Sequence, residues 1–312
     1  MKLFKSGNVF ILISATLFGL GGLCIKKISW DALSINGARC GIACVMLLTF
    51  LLLTKQKLKV TKGTLLGAFC FFTTTTLFIF ANKHTTAANA ILIQYAAPVF
   101  IILIMWIVFR ERPRKLDVIT GLVVIAGIGC FVMDGLAGGR LLGNMLSLIS
   151  AVTFAGIFMV NRMPGGDAFS ATIIGQFLAF CVGLPSILKE TDFGATSVSF
   201  MLIMGVFQLG CGYIFFCIGI KTTAPVTASL LSGVEPIVNP LLVALVVGET
   251  ISPISAVGGV IVLGAVTTYN VLLTRQRPVA EDLEAVEALR EELGLQEDLL
   301  IPEPECEQVV SK

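Results

Sequence analysis

The residues of this chain that could do chemistry are few, and each stands nearly alone in apolar sequence. Glu235 lies inside the run SLLSGVEPIVNPLLVALVV. A carboxylate at the centre of a bilayer costs about 2.5–3.5 kcal/mol even on the lenient insertion scale, so it must take up a proton or meet a cationic group of a substrate. Ser232 and Asn239 share its helical face, as does Ala228. A matching stripe carries Thr86, Ala90, Gln94 and Ala97, with Tyr95 beside Gln94. Arg39 is a second isolated charge. Its planar fork of donors suits a carboxylate, or it snorkels outward or fixes neighbouring backbone carbonyls. Gln208 and Tyr213 are the large polar members of the run GVFQLGCGYIFF, and Phe18 and Phe154 close two small-polar faces, Gly7–Ile11–Ser14–Phe18 and Gly143–Ser147–Ser150–Phe154. One cation and one carboxylate between apolar walls suit recognition of a zwitterion or a lipophilic cation. A phosphate ester calls for several cations.

Catalysis is poorly served. His84 is the only histidine, no HExxH or GxxxxGK[ST] pattern is present, and the nine cysteines show no metal-ligand spacing. The expectation is therefore no enzyme, no metal and no cofactor, with the cysteines acting as small packing residues. Thr73 to Thr76 satisfy their own helix carbonyls.

Two stretches are written twice. The segment from Lys83, KHTTAANAILIQYAAPVFIILIMWIVFRE, recurs 138 residues later from Lys221, placing Thr85 with Thr223, Ala90 with Ala228, Gln94 with Ser232, Ala97 with Glu235, Pro98 with Pro236 and Glu111 with Glu249. GNVFILISATLF from Gly7 matches GNMLSLISAVTF from Gly143, an offset of 136. The two offsets nearly agree, so the first half is a duplicate of the second, as in many carriers.

With 56% apolar residues, 13% charged and a mean hydropathy of +0.93, the chain reads as a polytopic membrane protein. A bilayer crossing takes about 20 helical residues, and the polar punctuation gives ten: 8–27, 33–54, 63–82, 86–109, 116–133, 141–161, 168–188, 199–220, 224–247 and 253–274. Helix 1 is retained, not cleaved as a signal. Unpaired backbone groups are excluded from lipid, so the fold class is all-α, with ten transmembrane helices.

Basic residues orient the chain. A cytoplasmic N-terminus puts Lys2, Lys5, Lys55, Lys57, Lys59, Lys62, Arg110, Arg112, Arg114, Lys115, Arg162, Lys221, Arg275 and Arg277 inside, and only Lys26, Lys27, Lys83, Arg140 and Lys189 outside. Both termini are then cytoplasmic, in a plasma (inner) membrane. Five helices per repeat is an odd number, so the repeats are inverted. The domains are 1–137, 138–275 and a cytosolic tail, 276–312, which holds eleven of the twenty acids between Glu281 and Glu307. Leu283, Val286, Leu289 and Leu293 there predict a short amphipathic helix. Pro98, Pro236 and Pro240 break helices 4 and 9, which carry the polar stripes. Glu111 and Glu249 precede Pro113 and Pro253 and read as acids at helix N-termini.

On the two Pro-to-Glu blocks, Pro98 to Glu111 and Pro236 to Glu249, on Arg39 and on the Gly-rich fifth and tenth helices, residues 8–274 resemble the EamA family of the drug/metabolite transporter superfamily. Arg110, in place of a small residue, and the long acidic tail depart from the pattern. The resemblance implies a ten-helix carrier with a cavity between the halves and peripheral helices 5 and 10, exporting or exchanging amino acids or other small metabolites. The expected partners are a small-molecule substrate, the lipid bilayer and a proton or counter-substrate. A homodimer is a further expectation, and nucleic acid is excluded. Efflux of lipophilic cations, a channel and a non-transporting scaffold stay open as alternatives.

Overall fold

The structure is a computed structural model describing residues 7–219, 231–269 and 271–272. The expectations for Lys221, Thr223 and Ala228, for the tail and for both termini lie outside these residues. Ten apolar helices follow in order: α1 (Gly7–Lys27), α2 (Ala32–Leu53), α3 (Lys62–His84), α4 (Ala87–Ile107), α5 (Lys115–Leu136), α6 (Leu141–Met159), α7 (Ala168–Ile187), α8 (Ala195–Gly219), α9 (Glu235–Val247) and α10 (Pro253–Tyr269). The first eight are long and apolar enough to cross a membrane; α9 and α10 are shorter. The described residues contain no strand. The fold is thus the expected all-α polytopic one. Side-chain caps set several starts: Thr61 accepts from the Thr64 amide, Thr86 from Asn89, and Asp167 from Ser170.

The inversion can be read from contacts at the two ends of α3. Its first turn abuts the chain after α6, since a Cβ on Gly63 would stand 2.9 Å from Met163. Its far end abuts the start of α6, where a Cβ on Gly143 would stand 2.7 Å from His84 and Thr85. So α6 runs away from the Thr85 end. The first helix does the opposite, because Lys26 near its C-terminus donates to the Thr85 carbonyl at 2.9 Å. Equivalent helices of the two repeats therefore point in opposite directions. At 1.5 Å per residue α3 is about 34 Å long, enough to separate the two ends by a bilayer's thickness.

The second and seventh helices cross in close contact. Gly37, early in α2, meets Gly183, late in α7, while Leu47 and Cys44 further along α2 lie with Ile173, early in α7. This antiparallel contact uses small residues to bring backbones together. A Cβ on Gly183 would stand 2.6 Å from both Gly37 Cα and the Leu33 carbonyl oxygen. Overpacking of this kind costs about 1–3 kcal/mol. Gly183→Val is expected to lower the unfolding midpoint in detergent by several degrees, whereas Gly129→Ala, where nothing stands within 4 Å, leaves it unchanged or raised.

Helices α5 and α10 present Val118, Ile119, Leu122, Val257 and Val260 outward, as a lipid-facing periphery requires. Helix α8 departs from regular α geometry: Ile203–Cys211 is a π-helix, a rare form that occurs frequently at functional sites.

The loop after α1 docks on the loop before α8. Trp30 Nε1 donates to the Asp192 carbonyl, the Asp31 amide donates to Glu190 Oε1 at 2.9 Å, and the Asp192 carboxylate accepts from Ser29, from the Gly194 amide at 3.0 Å and from Ser197 at 2.9 Å. The Ser29 bond first, then those from Gly194 and Ser197, holds the Asp192 carboxyl below the usual carboxylate range. A value depressed by folding favours the docked loop above the ordinary carboxylate range, and that preference is lost as pH falls through the folded value. Protection of the amides at residues 28–31, taken relative to their intrinsic exchange rate at each pH, is expected to fall on acidification below the ordinary carboxylate range in the parent, and to be low and less pH-dependent in Asp192→Ala.

Candidate substrate site

Two helix breaks build the site. The fourth helix is interrupted at Tyr95–Ala96, between Ala87–Gln94 and Ala97–Ile107, and the ninth begins at Glu235 after a turn at Gly233–Val234. Pro98 and Pro236 stand in the first turn after each break. Proline has no N–H, so the carbonyls four residues upstream, those of Gln94 and Ser232, lose their helical partners. The break in one helix supplies the other: the Tyr95 hydroxyl donates to the Ser232 carbonyl at 2.7 Å and lies 3.0 Å from Glu235 Oε2. The expected breaks at Pro98 and Pro236 are therefore present, and they meet, whereas helix Glu235–Val247 continues through Pro240 without the break expected there.

Around this junction lie most of the polar groups singled out in the sequence. Tyr213 is within electrostatic range of both Glu235 and Arg39 and packs against Phe18 with ring centroids 4.9 Å apart, against Phe71 at 5.2 Å and against Phe216 at 6.4 Å. Arg39 is 2% exposed and does not snorkel. Its Nε and Nη2 donate to Asn36 Oδ1 at 3.3 and 3.1 Å, and Nη2 also donates to the Thr75 carbonyl at 3.2 Å. Among the described residues no carboxylate stands within ion-pair distance of it. Gln208, in the π-helix, lies against Gly21 with Oε1 buried and unpartnered. Asn239, fully buried, packs on Gly22 with neither side-chain polar atom bonded.

Other candidates sit apart. Gln94 donates to Ser150 Oγ at 2.7 Å, and Ser150 in turn to the Thr74 carbonyl at 3.3 Å, so this end of the stripe ties α4 to α6 and α3. Phe154 packs on Phe158, with centroids 5.0 Å apart, and not on the Tyr213 cluster that its counterpart Phe18 joins. Ala90 is fully buried in the core. Thr74, Thr75 and Thr76 bond carbonyls of their own helix, as expected.

Against known families, the EamA-like transporter profile matches twice, over residues 5–133 and 141–271. The chain belongs to the EamA-like transporter family. A protein of Clostridium kluyveri named an uncharacterized transporter is 25% identical over 85% of this chain and 94% of its own length. Human solute carrier family 35 member G1 is 25% identical over 67% of this chain and 63% of that protein. A solved crystal structure matches with a TM-score of 0.60 at 18% identity, covering 86% of this chain and 98% of that one, which shows the fold. The relatives bear transporter names, in line with the expectation of a carrier rather than an enzyme.

Some groups were invisible to sequence reasoning. Asn36 anchors Arg39, and Asn144 accepts from Thr85 Oγ1 at 2.7 Å and donates to the Phe131 carbonyl at 2.6 Å. Asn89 donates to the buried Asp134 at 3.0 Å. The terminal acids also differ from expectation. Glu249 does reach a helix N-terminus, but that of α4: its Oε1 accepts from the Ala87 amide at 3.2 Å, and its Oε2 lies 3.5 Å from Lys26. Glu111 accepts from Arg162 at 3.1 Å.

Proposed function

We propose that this EamA-like transporter is a secondary carrier for a small amphiphilic metabolite of the amino-acid type, moved by alternating access between its inverted repeats, with efflux or exchange as the direction. It would reside in the plasma (inner) membrane with both termini cytoplasmic. The observation that carries the reading is the junction at the two helix breaks, where Tyr95 meets Ser232 and Glu235. A phenol has one hydrogen and two acceptors here. The shorter bond, to the carbonyl, takes that hydrogen, and the contact with Glu235 is then best satisfied when the carboxyl carries its own proton and donates it to the phenol oxygen. Loss of that proton frees a carboxylate for a cationic substrate group, while the unneutralised Arg39 offers a pole for an anionic one. Proton and substrate thereby compete for Glu235, which is the elementary requirement of proton-coupled exchange.

The aromatic surround of Phe18, Phe71, Tyr213 and Phe216 favours a second reading, a lipophilic cation held by ring faces and by Glu235. Thermal stabilisation of the purified protein across amino acids, amines and sugars separates the two: zwitterions stabilise under the first reading and only cations under the second. Counterflow in proteoliposomes loaded with the best ligand tests the carrier itself. Saturable, trans-stimulated uptake supports it, and an unsaturable flux would instead indicate a channel.

A further inference from the structure

We infer that the ion pairs Lys26–Glu249 and Arg162–Glu111 are reciprocal latches, one at each mouth of the pathway, and that each mouth opens by parting its own pair. This rests on the alternating-access reading above. The first observation is an exchange of partners. Lys26 and Arg162 are equivalent positions of the two repeats, offset by 136 like Gly7 and Gly143, and Glu111 and Glu249 are equivalent at 138. Each pair joins a cation at the C-terminal end of the first helix of one repeat, Lys26 in its last turn or Arg162 just beyond it, to the acid that follows the fourth helix of the other, at 3.5 Å for Lys26–Glu249 and 3.1 Å for Arg162–Glu111. Neither contact lies within a repeat, so relative motion of the repeats acts on both.

The second observation is their placement at opposite ends of α3. Lys26 also donates to the Thr85 carbonyl just beyond its C-terminus, while Arg162 lies in the turn whose next residues abut Gly63 at its start. Motion that opens one end therefore need not strain the other. The Lys26 end also holds an open surface depression of about 510 Å³ bordered by Lys83, His84, Thr85, Thr86, Arg140 and Glu249, so Glu249 lines the solvent-facing side of that end.

The third observation is that the two latches are unequal. At the Lys26–Glu249 pair the side chains are 21% and 19% exposed, and both partners make further backbone bonds, Lys26 to Thr85 and Glu249 to Ala87. Arg162 and Glu111 are 54% and 57% exposed. An exposed pair is weak and screened by salt, whereas a half-buried pair with additional bonds holds more firmly. The structure is therefore latched more tightly at the Glu249 mouth, and the resting population favours the state in which that mouth is shut.

Spin-label distance measurements on the full-length protein in liposomes test this without needing a substrate. Labels at His84→Cys and Thr250→Cys, in a background with the accessible native cysteines replaced by serine, span the Glu249 mouth from one repeat to the other. Lys26→Glu and Glu249→Lys are each expected to lengthen this distance by several ångström and to broaden its distribution, and the double exchange of both charges is expected to restore the parent distance. Arg162→Glu is expected to leave it short. Distances unchanged in both single reversals, or lengthened as much in the double exchange as in the singles, would overturn the latch assignment. A protein that shows the shifts yet fails counterflow would keep its latches and lose the carrier reading, and a working carrier whose distances ignore the reversals would lose the latches alone.

Discussion

Glu235→Gln is expected to abolish proton-linked transport, to leave uptake flat from mildly acidic to mildly alkaline pH, and to leave the protein folded in detergent. The reason lies in what glutamine keeps and what it removes. The amide retains the size of the carboxyl, an oxygen acceptor and an N–H that can face Tyr95, so it imitates the protonated acid beside the hydroxyl that now lies 3.0 Å from Oε2. It cannot become an anion. A carrier that alternates between a protonated and a substrate-bound carboxylate is then held in the first state. Tyr95→Phe separates the pieces: it deletes the bond to the Ser232 carbonyl and the contact to Glu235, leaves the carboxyl in place, and should cost about 1 kcal/mol for each hydrogen bond lost. That variant is expected to slow exchange roughly tenfold per 1.4 kcal/mol while keeping its pH dependence. Proteoliposome uptake with an imposed proton gradient measures both variants. Parent-like uptake by the glutamine variant over the whole pH range would remove Glu235 from the coupling step.

Eight of the ten expected crossings were legible because each is a run of about 20 apolar residues closed by charge, and a bilayer admits little else, while α9 and α10 are shorter among the described residues. The breaks in α4 and α9 were equally legible, since Pro98 and Pro236 act locally on the carbonyls behind them. What the sequence could not supply was the partner of each freed group. That Tyr95 reaches the Ser232 carbonyl depends on how two helices from different repeats cross, and no local rule reports that crossing. Repeat equivalence misled for the same reason. Phe18 and Phe154 are matched in sequence, yet only Phe18 joins Tyr213, and Ala97 stands where the second repeat has Glu235. A duplicated fold need not keep a duplicated site. The exchange of ion pairs shows the opposite case. Lys26 and Arg162 share an offset with Gly7 and Gly143, so the signal was present, but reading it required knowing that the acids pair across the repeats and not with the helices that follow them. The π-helix at Gln208 has no such signal, because backbone register is set by packing.

Arg39 provides the second large expected effect and separates a structural role from a binding one. Replacing it alone is ambiguous. Arg39→Met removes three donated bonds, and the buried Asn36 Oδ1 loses both guanidinium contacts, an omission worth about 1–3 kcal/mol for an unsatisfied buried group. A destabilised protein would then transport poorly for trivial reasons. Removing both partners avoids this, because a buried polar pair exchanged for apolar groups of similar shape is often neutral or stabilising. Asn36→Leu with Arg39→Met is therefore expected to unfold within a few degrees of the parent, since the Thr76 hydroxyl that Asn36 binds can still donate to the Phe72 carbonyl of its own helix. The same double variant is expected to lose stabilisation by ligands bearing a carboxylate, while ligands with only a cationic group still bind through Glu235. Each charge is thereby assigned to one end of the substrate. If carboxylate ligands stabilise the double variant as they do the parent, the guanidinium serves only to pin the Thr75 carbonyl, and the anionic pole must be sought elsewhere along α2 and α8.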